Sequence, residues 1–272
     1  MRSFCMFKDK YGPWAVIAGG SDGIGAAMAR EVCSRGLSVV VLARGGNNLE
    51  KIASDLRKEH PAVSVQTLSV DLGKPDATEK VLEVTKDKEV GLFIYNVGSE
   101  PNYGDFLSHD IDFVRGRLFR NFVIKTELLH HYASKMKQRG GGGVLVMGSI
   151  SGFFGSPGFS LYAASKAFTR YLIEGLWYEF KDSGIDCLCP VVGITNTPTM
   201  TNAYGSLPDD VAQPSQIAKS ALDKLAEGPL WIAEDIVEQV AAFIPMEPRE
   251  RAEVAANAGK AFAGGSQVTY TK

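Results

Sequence analysis

The sequence lacks long apolar runs and a strong charge of either sign. No segment reaches the roughly eighteen consecutive apolar residues that a membrane-spanning helix needs, and the first ten residues lack the apolar run of a signal peptide. The formal net charge of -2, without a stripe of lysine or arginine, argues against a surface that binds nucleic acid. We therefore expect a soluble, cytoplasmic protein without nucleic-acid or membrane partners.

Cysteine is scarce, and Cys5, Cys33, Cys187 and Cys189 lack the spacing of a metal site. Cys187 and Cys189 alternate within an apolar run, so both side chains should lie on one face of a strand. We expect no bound metal, and unpaired thiols fit a reducing compartment.

What the chain does have is an alternation of short apolar strands and amphipathic helices. With 272 residues, 45% of them hydrophobic, it is long enough for a substantial core, and no repeat, low-complexity tract or linker divides it. The pattern predicts strands over residues 14–18, 37–43, 63–70, 90–95, 144–147, 185–189 and 228–233. It predicts helices over 26–35, 48–60, 76–88, 110–139, 162–180 and 214–227, and two more after residue 233. This alternation indicates one parallel sheet.

A glycine-rich turn, Gly19-Gly-Ser-Asp-Gly-Ile-Gly25, follows the first strand directly. Glycines let the backbone approach a pyrophosphate closely, and the start of the next helix offers free N–H groups and the positive end of the helix dipole. The same residues also suit a tight strand-to-helix turn without a ligand. The candidate cofactor contacts are Gly19, Ser21, Asp22, Gly23, Ile24 and Gly25.

The end of the second strand bears on which dinucleotide binds. A carboxylate there suits the ribose hydroxyls of NAD, whereas an arginine suits the 2′-phosphate of NADP. Arg44 follows the strand and no acidic residue appears before Glu50, which favours NADP(H). Asp22 leaves NAD(H) open, and Arg44 also suits a solvated loop. Asp71 and Leu72, after the third strand, are candidates for contact with the adenine ring.

Tyr162 and Lys166 are four residues apart in a predicted helix, so they share one face. A lysine beside a tyrosine favours the ionised phenol and lowers its pKa, as a phenolic general acid or base requires. Ser149 follows the fifth strand, where its hydroxyl is placed to hold a carbonyl oxygen. The Tyr-x-x-x-Lys spacing alone is common on helices.

Ligands bind at the carboxyl ends of parallel strands, and the features at those ends are the glycine turn, Arg44, Asp71, Asn96 and Ser149.

Asn121 lies within the predicted long helix 110–139, where asparagine has a poor propensity. It is either an exposed polar residue or an interruption of the helix that holds a water molecule.

Residues 190–214, rich in proline, asparagine and aspartate, are predicted to form an irregular loop that acts as a lid beside the cleft.

Together these motifs resemble those of short-chain dehydrogenases/reductases, and the resemblance runs from about Trp14 to Ala233. The motifs, in family order and spacing, are Gly19-x-x-x-Gly23-x-Gly25, Asp71, Asn96-Val-Gly98, Asn121, Ser149 and Tyr162-x-x-x-Lys166. The resemblance implies a Rossmann-type, doubly wound α/β fold with a seven-stranded parallel sheet and helices on both faces, as a single domain over 1–272. Its core would span about 14–233, followed by C-terminal helices over 234–263 and a loosely held tail over 264–272.

The resemblance also implies a role for each motif residue. Tyr162 would donate or accept the proton, Ser149 would position the carbonyl, and Asn121 would hold a relay water. Lys166 would bind the nicotinamide ribose and lower the pKa of the tyrosine. The remaining cofactor contacts would be Asn96, Val97, Gly98 and either Thr195 or Thr197, between which the sequence does not decide.

Three details depart from the commonest family pattern. Ala18 replaces a frequent threonine, Val97 replaces a frequent alanine, and the Pro-Gly pair after the sixth strand is missing. Residues 22–25, 96–98 and the segment from Pro190 are similar to the branch that contains 17β-hydroxysteroid dehydrogenases and 3-ketoacyl-CoA reductases. Unlike the membrane-bound members of that branch, this chain has no predicted spanning segment.

We expect hydride transfer between NADP(H) and a carbonyl/alcohol pair on an apolar, bulky substrate such as a steroid-like ring system, an acyl chain or an aryl ketone. The substrate candidates are Phe153, Phe154, Phe159, Met200 and Tyr204, although Phe153 and Phe154 also suit core or subunit-interface packing. The resemblance implies a homodimer or homotetramer.

Two rival hypotheses remain. One is an NADP(H)-binding regulator without turnover. The other is an enzyme of the same fold that epimerises or dehydrates its substrate, for which the sequence supplies no further acid/base pair.

Overall fold

Apolar, largely β-branched segments form one parallel sheet in the computed structural model, which describes residues 2–99, 104–205, 207 and 210–263. The strands are β1 (Trp14–Ala18), β2 (Ser38–Ala43), β3 (Val65–Ser69), β4 (Val90–Tyr95), β5 (Gly142–Val146), β6 (Ile185–Val191) and β7 (Leu230–Ile232). Their order is β3-β2-β1-β4-β5-β6-β7, and neighbouring strands are parallel. Every residue of β4 is buried, as expected for a strand covered on both faces.

Helices connect the strands and cover the sheet. They are α1 (Arg2–Tyr11), α2 (Gly23–Ser34), α3 (Asn47–Glu59), α4 (Ala77–Thr85), α5 (Ile111–Leu118), α6 (Ile124–Arg139), α7 (Ser160–Glu179), α8 (Pro198–Tyr204), α9 (Pro214–Asp223), α10 (Val237–Phe243) and α11 (Pro248–Ala263). Helix α2 packs against α3 and α9, whereas α4 packs against α6. The predicted doubly wound fold, with its seven-stranded parallel sheet and C-terminal helices, is confirmed across the described ranges.

The strand order reverses between β1 and β4, which are neighbours in the sheet. Their carboxyl ends are in register, with Ala18 beside Tyr95. The glycine turn after β1 and the Asn96-Val97-Gly98 segment after β4 therefore leave the sheet side by side. A crevice at such a reversal is where doubly wound sheets bind ligands.

Helix α1 precedes the first strand that the sequence pattern predicts, and no helix was expected there. It packs against β4 and β5. Its last residue, Tyr11, is buried and donates a hydrogen bond to the Asp186 carboxylate at the start of β6, and Lys10 forms an ion pair with the same carboxylate. These contacts join residues about 175 positions apart, so local sequence could not reveal them.

The single helix predicted over 110–139 is wrong in its middle. Helices α5 and α6 are separated by a π turn over Phe119–Val123, and Asn121 is buried within it. Of the two alternatives for Asn121, exposure on the helix surface is therefore wrong and interruption of the helix is correct. Single π turns of this kind occur often at functional sites.

The irregular loop predicted over 190–214 contains helix α8. Thr197 is its N-cap, with Oγ1 accepting a hydrogen bond from Met200 N at 3.3 Å, and Pro198 is the first helical residue. A threonine cap followed by proline is a recognised helix start, so the signal was present in the sequence. Whether this segment acts as a lid stays a prediction.

Within the described residues, the structure bears on membrane-spanning helices, metal-binding groups and cysteines. No helix among them is long and apolar enough to span a membrane, and no group of three or more histidine, cysteine or acidic side chains among them is placed to hold a metal. Cys33, Cys187 and Cys189 are buried and unpaired. The predicted tail over 264–272 lies outside the described residues, and the division into core, C-terminal helices and tail stays a prediction.

Candidate active site

The glycine turn forms a tightly packed cradle at the carboxyl end of β1. Gly19 has a φ of +79°, and a Cβ there would lie 2.9 Å from Val97 Cγ2. A Cβ at Gly25 would lie 1.9 Å from the Gly19 carbonyl oxygen. Asn96 Nδ2 donates a hydrogen bond to that same oxygen at 3.2 Å. Gly19 and Gly25 therefore have no room for a side chain, and the segment after β4 holds the shape of the turn.

The same turn begins helix α2. The Asp22 carboxylate accepts a hydrogen bond from Gly23 N at 2.7 Å and so caps the helix. Ser21, Asp22, Gly23 and Ile24 are each half-buried, which leaves part of the turn facing outward. A glycine-rich turn at the start of a twelve-residue helix fits the pyrophosphate of a dinucleotide.

The carboxyl end of β2 presents a cation next to a helix start. Arg44 is exposed, and Gly45 and Gly46 lead into α3, whose first residues have no side-chain cap. The carboxylate of Glu50 accepts a hydrogen bond from Thr67 Oγ1 of β3 at 3.1 Å. This end of the sheet therefore offers a guanidinium and the free N–H groups of α3, which suit an anion.

Asp71 and Leu72 follow β3. Asp71 is exposed and its Oδ1 accepts a hydrogen bond from Gly73 N at 2.9 Å, which stabilises the turn, whereas Leu72 is buried. The predicted contact of these residues with an adenine ring stays a prediction.

Ser149 follows β5 and begins a short turn over 150–153 that packs against α7, the helix of Tyr162 and Lys166. Ser149 is buried, and its Oγ accepts a hydrogen bond from Ser151 N at 3.3 Å. Lys166 Nζ lies 5.5 Å from the centre of the Tyr162 ring and donates a hydrogen bond to the Met147 carbonyl oxygen at 2.8 Å. The lysine therefore joins helix α7 to the segment that carries Ser149.

The electrostatics of this group follow from burial. Burial lowers the pKa of Lys166 to about 8, with a smaller opposing effect of Cys189. The ammonium group is therefore mostly charged at pH 7. A positive charge beside a phenol favours its ionised form, which is the property that a tyrosine acid/base needs.

Asn121 joins the site through the segment after β4. Gly98 has a φ of +117°, and a Cβ there would lie 2.9 Å from Asn121 Oδ1. The buried Tyr95 hydroxyl donates a hydrogen bond to the Arg120 carbonyl oxygen at 2.5 Å, and Arg120 Nε donates one to Asn121 Oδ1 at 3.4 Å. The π turn thus directs the asparagine side chain toward Gly98.

The structure distinguishes the two threonines that the sequence left open. Thr195 is buried, and its hydroxyl donates a hydrogen bond to the Gly193 carbonyl oxygen at 3.5 Å. Thr197 is half-buried, and its Cγ2 would lie 2.8 Å from a Cβ at Gly23. Thr197 is therefore the threonine that adjoins the glycine turn.

The substrate candidates occupy different surroundings. The ring of Phe159 lies 6.5 Å from that of Tyr162, edge to face. Phe153 lies 4.4 Å below the Arg170 guanidinium, and Phe154 contacts Phe243 at 4.3 Å.

Phe153 and Phe154 line a cavity of about 800 Å³ between α7 and α11, and neither Ser149 nor Tyr162 is among the residues that line it. Met200 is half-buried in α8, and the Tyr204 side chain lies outside the described residues. Of these five residues, only Phe159 has a described contact with a catalytic candidate. Substrate contact by any of them stays a prediction.

Sequence reasoning missed one buried group near the site, Lys125 in α6. It lies one turn after Asn121 and between the apolar residues Ile124 and Leu128, and it is buried with them. A lysine within the apolar stripe of a helix was the available signal.

The parallel sheet, the glycine cradle and the Ser-Tyr-Lys group together define a dinucleotide-dependent oxidoreductase, and the comparison with known families agrees. The model for "short chain dehydrogenase" matches residues 13–206. The chain belongs to the short-chain dehydrogenase/reductase family. It is accordingly an oxidoreductase of the class that acts on CH–OH groups.

Relatives of two activities are similar to this chain. A 7beta-hydroxysteroid dehydrogenase from Clostridium sardiniense is 31% identical over 235 residues, which cover 85% of this chain and 88% of that protein. A very-long-chain 3-oxoacyl-CoA reductase from Neurospora crassa is 30% identical over 219 residues, which cover 79% of this chain and 65% of that protein. The chain thus spans less than two thirds of the reductase. The similarity to this branch is confirmed.

A solved structure shows the same fold with a cofactor. A short-chain dehydrogenase from Sphingobium yanoikuyae in complex with NADPH is 26% identical to this chain, with a TM-score of 0.74. The match covers 96% of this chain and 99% of that one.

Proposed function

We propose that this chain interconverts a ketone and a secondary alcohol on a bulky, apolar substrate, with NADP(H) as the partner in hydride transfer. One observation carries the proposal: Tyr162 lies beside Lys166, which is hydrogen-bonded to Met147 two residues before Ser149, at the sheet edge that also holds the glycine-rich turn after β1. That arrangement combines a proton-transfer group with a dinucleotide cradle.

Each catalytic side chain has a role that its position supports. Bound NADPH would supply the hydride for reduction. Tyr162 donates a proton to the substrate oxygen in reduction and accepts it in oxidation. The Ser149 hydroxyl donates a hydrogen bond to the same oxygen, the Lys166 ammonium favours the ionised phenol, and Asn121 holds a relay water beside Gly98.

The preference for NADP(H) over NAD(H) rests on Arg44. Arg44 is exposed and lies three residues before α3, whose start is uncapped, and both features suit the 2′-phosphate. The carboxylate of Asp22 is engaged with Gly23 N, and that of Glu50 with Thr67. The NADPH complex of the Sphingobium relative supports the same assignment. NAD(H) is the alternative that the cofactor assay tests.

Thr197 takes the threonine role at the cofactor. Its methyl group adjoins Gly23 of the turn, whereas the hydroxyl of Thr195 is directed to a backbone oxygen. We assign the cradle itself to Gly19, Ser21, Asp22, Gly23, Ile24 and Gly25, and further cofactor contacts to Arg44, Asp71, Leu72, Asn96, Val97 and Gly98.

A fused-ring ketone is the favoured substrate class. The Clostridium relative, named for a hydroxysteroid, matches this chain over most of both lengths, whereas the acyl-CoA reductase is matched over less than two thirds of its own. The Phe159 ring beside Tyr162 supports an apolar substrate. Acyl and aryl ketones are the alternatives.

The decisive experiment measures consumption of NADPH and NADH against steroid ketones, acyl thioesters, quinones and aryl ketones. Tyr162→Phe is compared with Tyr178→Phe, a matched control because Tyr178 is exposed on the same helix. We expect NADPH-dependent turnover that Tyr162→Phe abolishes and Tyr178→Phe retains. Tight NADPH binding without turnover on any ketone or alcohol would instead support a regulator.

Location and assembly complete the proposal. The unpaired, buried thiols of Cys33, Cys187 and Cys189 suit the reducing cytoplasm. A homodimer or homotetramer would cover the large apolar side chains that α7 exposes, including Tyr171 and Trp177. Fractionation and analytical ultracentrifugation test these two statements.

A further inference from the structure

A second lysine is buried next to the proton-transfer group, and the proposed mechanism does not use it. The side chain of Lys125 is only 3% exposed. Its Nζ donates a hydrogen bond to Thr169 Oγ1 at 2.5 Å, and that hydroxyl donates its own proton to the Ser165 carbonyl oxygen at 2.9 Å. The rings of Phe168 and Phe122 lie 4.9 Å and 5.9 Å from the ammonium nitrogen. Burying an ammonium group whose partners are all neutral costs folding free energy, so a functional role would account for this lysine.

The helix pair brings Lys125 alongside Lys166. Lys125 lies one turn after Asn121 on α6, and its partner Thr169 lies three residues after Lys166 on α7. Two catalytic candidates are therefore each within one helical turn of this contact. The Lys125–Thr169 contact thus lies one helical turn along α7 from Lys166, the lysine beside the Tyr162 ring.

The surroundings of Lys125 contain no compensating anion within the described part of the chain. The charged or titratable groups that act on it are Lys166 from α7 and the Cys189 thiol from β6. Burial raises the pKa of Cys189 to about 12, so it stays neutral, and Arg170 adds a third cation on that side. Burial first, and then Lys166, lowers the pKa of Lys125 to about 7. Lys125 therefore gains and loses its proton near neutral pH.

We propose that Lys125 is a positioning residue for proton transfer: its ammonium group is held against α7 through Thr169, one turn from Lys166, and its protonation state sets the positive field that acts on Tyr162. This inference rests on the proposed roles of Tyr162 and Lys166. Below neutral pH two ammonium groups favour the tyrosinate, and above it Lys166 remains as the single cation. The two lysines release their protons as a coupled pair, in two steps.

The test combines a titration and a pH–rate profile on the full chain. Lys125→Met removes the charge at similar length, and Lys137→Met, which removes an exposed lysine of the same helix, is the matched control. Side-chain NMR of labelled lysines, with and without NADP+, follows the titration of Lys166 and needs no turnover. The rate of ketone reduction is measured from pH 5.5 to pH 9.

In the wild type we expect the NMR signal of Lys166 to change in two steps. The first, near pH 7, reports the loss of the Lys125 proton, and the second, near pH 8, reports the loss of the proton of Lys166 itself. Lys125→Met should lose the lower step and keep the higher one, while Lys137→Met keeps both. The reduction rate should change about two- to fivefold across the lower step, and Lys125→Met should lack that change. Thr169→Val, which keeps the amine but removes its acceptor, should move the lower step to a more acidic pH.

Two results would overturn the inference: a wild-type Lys166 that shows no step near pH 7, or a Lys125→Met protein that retains it. Failure of the proposed function looks different. In that case no ketone or alcohol is turned over, yet NMR still reports whether the two lysines are coupled.

Discussion

Replacement of Arg44 by serine tests the cofactor assignment most directly. Arg44 is the cation at the carboxyl end of β2, and its side chain is exposed. A hydrogen bond to a charged group contributes about 1.5–3 kcal/mol, and solvent exposure places Arg44 at or below the lower end of this range. We therefore expect Arg44→Ser to weaken NADPH binding by about 1–1.5 kcal/mol, which is roughly five- to thirteenfold in Kd.

The uncapped start of α3 would remain in that variant and would retain about 0.3–1 kcal/mol of the preference for the 2′-phosphate. NADH lacks this phosphate, so its Kd should be unchanged. Isothermal titration calorimetry with both cofactors measures the two effects, and Lys51→Ser, at an exposed position on α3, controls for the loss of one positive charge. Equal weakening of NADPH and NADH, or no weakening of either, would refute the reasoning.

Three further predictions concern stability and geometry. Tyr11→Phe should lower the free energy of unfolding by about 1–3 kcal/mol, because the buried phenol donates to the Asp186 carboxylate; an unchanged urea midpoint would contradict this. In Gly98→Ala the new methyl group would lie 2.9 Å from Asn121 Oδ1 at a φ of +117°, so the side chain should be displaced and kcat should fall about tenfold. Full activity of a correctly folded variant would exclude that contact. The pKa of Lys125 is lowered to about 7 from 10.5, so between these pH values the unfolded chain holds a proton that the folded chain has released, and stability rises with pH. Lys125→Met should remove about 2 kcal/mol of this rise between pH 7 and pH 9 in urea unfolding, and an unchanged slope would show that burial of the amine has no such cost.

Local parts of the site were predictable because a few adjacent residues determine them. Tyr162 and Lys166 are four residues apart in one helix, and the lysine nitrogen indeed lies near the tyrosine ring. The strand, glycine turn and helix over 14–34 likewise form one continuous unit. Helix α8 was also predictable from adjacent residues, since Thr197 and Pro198 form a helix-start signal that the loop prediction overlooked.

Other elements needed the tertiary structure. Helix α1 is joined to the core through Tyr11 and Asp186, which are distant in sequence. The interruption of the long helix at Asn121 accompanies a contact with Gly98, which belongs to another element. Hydrophobic periodicity shows which face of a helix is buried, but it does not show which residue lies opposite.

By itself, the sequence determined the parallel α/β fold, the family and the spacing of the candidate catalytic residues, because strand patterning, turn chemistry and helical periodicity act over short distances. Only the tertiary structure decided which threonine adjoins the glycine turn, which phenylalanine lies beside Tyr162 and which second lysine is buried against Thr169, one turn from Lys166. These choices depend on how α6, α7 and the segment after β6 pack against one another. A side chain's chemical role is set by the neighbours that this packing brings to it, and those neighbours come from distant parts of the chain.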